Sequence, residues 1–137
     1  MSLQRFEDAH RQDYETALAE IRRGRKTSHW MWYIFPQLKG LGHSPTAQYY
    51  GIENLAEAEA FLAHPVLGVH LVEISRALLA LETDNADLVF GYPDNLKLRS
   101  SMTLFAQVRE ADPVFGQVLD KFFEGKPDQR TLELLKE

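Results

Sequence analysis

The chain has 137 residues, a formal net charge of −5, 45% hydrophobic and 26% charged residues, and no cysteine. A chain of this size buries roughly 68% of its unfolded surface, enough for one core, so residues 1–137 are read as a single domain. The apolar content is too high for a disordered chain, and the missing cysteine removes disulfides, thiolate catalysis, zinc fingers and iron–sulfur clusters together.

The opening MSLQRFEDAH carries acids where a signal peptide has basic and then apolar residues. No run approaches the roughly 18 apolar residues of a membrane span, so a cytoplasmic protein with no membrane partner is expected. Negative net charge also argues against nucleic acid as a partner.

Hydrophobic spacing is helical almost throughout. Phe6, Tyr14, Ala17, Leu18 and Ile21 fall near one stripe, which predicts a first helix closed at Gly24. The basic run Arg22, Arg23, Arg25 and Lys26 is read as its cation-rich last turn rather than as a nucleic-acid patch. Asn54, with Glu57 three residues on, resembles a capping box and opens a short helix through Leu62 that Pro65 ends or bends. Leu67, Leu71, Ile74, Leu78 and Leu81 are spaced 4, 3, 4 and 3, the seam of a helix packed on other helices. Asp84 is read as the cap of a short segment ending at Gly91, and Asp94 as the cap of a helix running to about Arg109. Asp112 and Pro113 open a further helix that Gly125 closes, and Pro127 with Asp128 introduces the last. No strand is required. The expected fold class is all-α, a single-domain bundle of about six helices with a long aromatic-rich loop after helix one.

That loop, residues 24–52, is long for a compact domain. Trp30, Trp32, Tyr33 and Phe35 place four aromatics in six residues, and burial of that much ring surface is expected to order it. The run SHWMWYIFPQLKGLGHS, then EAEAFLAHPVLGVHL, then DNLKLRSSMTLF, resembles the family of domain of unknown function 1810, across nearly the whole chain. The resemblance implies a mainly helical fold and no established activity. Some members carry the label calpastatin, but nothing in this sequence resembles an unstructured calpain inhibitor.

Two groups of residues carry the candidate chemistry. Trp30 and Trp32 offer stacking faces, with His29 and Gln37 as edge donors and acceptors; the competing reading is that the rings simply plug the loop onto the helices. On the helix after Asp94, Lys97, Ser100 and Ser101 share one sector beside the apolar face, which suits a phosphate or carboxylate. The competing reading is that the serines allow close helix contact and Lys97 reaches out to water. His29 is the candidate proton-transfer group, since an imidazole ordinarily titrates near neutrality.

The five histidines show no metal-ligand spacing, so no metal and no cofactor are expected. His64 is read as capping the end of its helix, and His70 as a structural histidine at the edge of the core seam. The leading functional expectation is a small anionic, nucleotide-like ligand held by Trp30, Trp32, Gln37, Lys97, Ser100 and Ser101. The alternative is a protein–protein interaction module that docks a partner through the aromatic loop without catalysis.

Overall fold

The computed structural model describes residues 2–137, and among them nine α-helices. In chain order these are α1 (Gln4–Arg22), α2 (Met31–Ile34), α3 (Pro45–Tyr50), α4 (Leu55–Ala63), α5 (Leu67–Leu79), α6 (Ala86–Phe90), α7 (Asp94–Ala106), α8 (Val114–Phe123) and α9 (Gln129–Leu135). The all-α class holds, but the count of about six does not. Residues 24–52 are not one long loop: α2 and α3 are folded into them. Both are too short for a 3.6-residue periodicity to register, and the Pro and Gly around them read as loop. Lys39 donates to the Ile52 carbonyl and Ile52 to that of Gln37, at 2.8 and 3.0 Å, so the two ends of this segment pair briefly like parallel strands.

The core is one cluster drawn from every part of the chain. Leu67, Leu71, Ile74 and Leu78 of α5 are fully buried, as the 4-3-4 spacing requires, and α5 packs between α1 and α8. From the aromatic segment, Trp30, Met31, Ile34, Phe35 and Leu38 enter the same core. Phe35 meets Phe90 edge-on at 5.8 Å, a favoured ring geometry.

Helix ends are satisfied by side chains, most of them close in sequence and one, Lys121, from a distant helix. Asn54 accepts from the Glu57 N–H at 2.9 Å, but Glu57 returns its carboxylate to the N–H of Glu53 and to Arg5, at 2.9 and 3.0 Å, rather than to Asn54. The Lys121 ammonium reaches the carbonyls of Leu78, Leu79 and Leu81 at the C-terminus of α5. His64 is the C-cap residue of α4, as expected, and also caps the start of α5: its Nδ1 accepts from Val66 and Leu67, at 3.0 and 3.1 Å, and its Nε2–H reaches Glu7 at 3.0 Å. Asn85, not Asp84, caps α6. Asp128 caps α9 by accepting from the Thr131 N–H at 3.0 Å.

Candidate functional site

The aromatic segment is pinned to α1 by one carboxylate. Glu20, near the end of α1, is buried and accepts from the N–H groups of Thr27 and Ser28, the Ser28 hydroxyl and the Trp30 indole, all within 2.9 Å. Burial alone would raise its pKa, but the four hydrogen bonds together hold it down to about 2. Trp30 is 1% exposed and so has no open face for a ligand. Its stacking role is corrected to a structural one, because its indole N–H completes the Glu20 anchor.

Beside this anchor lies an alternation of cations and acids. Lys26 leaves the end of α1 rather than extending it, and its ammonium stands 5.1 Å from the Trp30 ring centre and 2.9 Å from Asp94. Asp94, at the first turn of α7, makes no side-chain cap. Its second oxygen faces the Lys97 ammonium at 3.4 Å, and that ammonium lies 5.6 Å from the Trp32 ring centre. Expected as a cap, Asp94 is instead the carboxylate between two lysines.

Trp32, Gln37 and Lys97 therefore meet. With Met31, Phe35, Ala47, Tyr50 and Gly51 they line a notch of about 10 Å³. This holds about one water-sized group. The lysine side chain is 27% exposed, so its charge is reachable from outside.

The remaining expected site residues lie elsewhere or are already engaged. His29 is exposed and is not among the residues lining the notch. The Ser100 hydroxyl sits 3.2 Å from both the Leu96 carbonyl and the Asp128 carboxylate, so it supports the start of α9 and meets an acid rather than a bound anion. Thr103 assists by accepting the Asp128 N–H at 2.9 Å. Ser101 is fully buried, one turn beyond Lys97, and its hydroxyl has no hydrogen-bond partner.

Sequence reasoning missed a second polar cluster, between α1 and α5. His10 is buried and its Nε2–H donates to the Tyr33 carbonyl at 2.8 Å, so its Nδ1 accepts the Nδ1–H of His70 at 2.9 Å. Burial, with opposition from His70 and His64, holds the His10 pKa down to about 4 against the Tyr33 carbonyl. Burial likewise lowers that of His70. The Tyr14 ring stacks on His70 at 3.6 Å, and its hydroxyl donates to Glu73; burial and then this bond raise its pKa. His70 is thus structural, as its place beside the seam suggests. The spacing His10 to Tyr14 and His70 to Glu73, one turn on each helix, is the signal that could have found the cluster.

Among the described residues, no three metal-ligating side chains gather. No single described helix is long and apolar enough to cross a membrane.

An all-helical fold with this sequence has known relatives of form but not of function. Residues 1–135 match the family described as Protein of unknown function (DUF1810), and the chain belongs to that family. It is similar to the crystal structure of the conserved hypothetical protein Rv1873 from Mycobacterium tuberculosis, with 45% identity and a TM-score of 0.96 over 98% of this chain and 96% of that one. No curated protein matches.

Proposed function

We propose that the protein binds a small molecule through an anionic group seated at the Trp32–Gln37–Lys97 notch. One observation carries this reading. Asp94 stands between Lys26 and Lys97, at 2.9 and 3.4 Å, so one carboxylate serves two ammonium groups and leaves a positive charge beside the notch. An anion completes the row, and the Trp32 ring keeps the ammonium from wandering. Gln37 adds an amide that turns either donor or acceptor toward the ligand.

The notch admits about one water-sized group, a single oxygen of the anionic head, so the rest of the ligand lies outside it, over the half-buried Trp32. A nucleoside monophosphate or a sugar phosphate has this form. His29 keeps its candidacy as a proton-transfer group only if the ligand's body extends toward it. The docking alternative loses its expected surface, because Trp30, Tyr33 and Phe35 are buried rather than gathered in an open patch.

The test is thermal unfolding with inorganic phosphate, nucleoside monophosphates and sugar phosphates. A ligand at about 100 times its dissociation constant adds about 2.7 kcal/mol of stability, seen as a rise of several degrees. Lys97→Ala abolishes the rise and leaves the unliganded midpoint nearly unchanged. An equal rise in Lys97→Ala, or silence from every compound, overturns the reading.

A further inference from the structure

The outward stripe of α5 is uncovered. Val69, Val72, Glu73, Arg76 and Ala77, with Ala80 just past the helix end, line a groove of about 810 Å³. At 100° per residue these six fall within one sector about 140° wide, opposite the buried seam. Val69 is 61% exposed and Val66 46%, although the core of this small protein accommodates many side chains of that size. A second groove, of about 510 Å³, shares Leu62 and Val72 with the first, so the two form one trough over the α4–α5 corner.

The stripe complements itself when read backwards. About the midpoint between Ile74 and Ser75, Val69 answers Ala80, Val72 answers Ala77 and Glu73 answers Arg76. Each larger apolar residue is matched by a small one, and the acid by the base. A two-fold axis through that midpoint lays α5 antiparallel on the α5 of a second copy. Glu73 then comes level with Arg76 of that copy, and the pairing occurs twice. Ala77 and Ala80 let the helices approach closely at the positions level with the valines.

The charges are available for this. One Glu73 oxygen accepts the Tyr14 hydroxyl, and the other is open to a guanidinium. Arg76 touches Asp112 at 3.0 Å, but its side chain is 66% exposed, and such a surface pair holds it weakly. The stripe from Val69 to Ala80 is about 16 Å of helix, and a standard interface buries roughly 800 Å² per partner, more than a single helical stripe presents. The trough continues past Leu62 onto the lining of the second groove, which widens the surface a second copy can cover.

We propose that this chain forms a two-fold symmetric homodimer through α5. The interface is independent of the notch on α7 and goes beyond the anion-binding reading.

Sedimentation equilibrium from about 1 to 500 μM, a range that spans weak to moderate affinities, reads it directly. The expected mass moves from 15.7 kDa towards twice that value. Glu73→Arg or Arg76→Glu alone sets like charges level with one another and weakens the dimer about tenfold or more. The double variant Glu73→Arg with Arg76→Glu restores it, and thermal midpoints confirm that all three fold.

A second measurement exploits the absence of native cysteine. Val69→Cys with Ala80→Cys places the two thiols about 16 Å apart on one helix, too far to bond within a chain, so mild oxidation links two chains only where residues 69 and 80 face each other. A monomer at every concentration overturns the proposal. So does a dimer that ignores both charge reversals, or one that the cysteine pair fails to cross-link, because either joins through another face.

Discussion

Glu20 shows how much one side chain can decide here. Its carboxylate collects four donors, and without it the Trp30 indole is left buried without a partner and two part-buried backbone N–H groups lose theirs. Glu20→Ala is expected to cost about 3 kcal/mol in urea unfolding; a loss under about 1 kcal/mol would mean that water replaces the carboxylate. His10 makes a different prediction, because its pKa falls from 6.5 to about 4 on folding. The folded form then binds fewer protons than the unfolded form across that interval, so stability is lost as pH drops from about 6.5 towards 4. Relative to pH 7, the loss is about 2 kcal/mol by pH 5. Unfolding midpoints measured at both pH values check it, and His10→Asn should flatten the difference. Glu20, held at about 2 against 4.5 unfolded, extends acid sensitivity below pH 4.5 by the opposite assignment: its stabilising charge is lost as pH falls towards 2.

At the scale of elements, the corner between α4 and α5 is set by a close approach. A Cβ on Gly68 would stand 2.0 Å from the Leu62 carbonyl oxygen, which is backbone and has nowhere to go. Gly68→Ala is therefore expected to lower stability by about 3 kcal/mol, and circular-dichroism melting reads it; an unchanged midpoint would mean that the corner opens freely. Elements long enough to show a period were legible in the sequence. The α5 seam was read from five residues, of which Leu67, Leu71, Ile74 and Leu78 lie in it and Leu81 falls just past the helix end, and the α9 cap from Asp128. The four and six residues of α2 and α3 were not, since neither completes two turns. His64 as the cap of α5 was missed because imidazole is outside the usual set of N-capping side chains.

For the whole molecule, the distinction is between what neighbours in sequence imply and what the fold brings together. Trp32, Gln37 and Lys97 do meet, although 65 positions separate the first from the last. That Lys26 would share Asp94 with Lys97 was not readable, because a pairing across 68 positions leaves no local pattern. Trp30 and Ser100 illustrate the converse: each has the right chemistry for a ligand and is occupied by the protein itself.

The most direct measurement of the central claim uses the two tryptophans as internal probes. In a nitrogen–proton NMR titration with phosphate or a nucleoside monophosphate, the Trp32 indole and the backbone around Gln37 and Lys97 should shift together and saturate. The Trp30 indole, bound to Glu20, should stay still. Shifts that gather away from α7, or that persist unchanged in Lys97→Ala, would contradict the account.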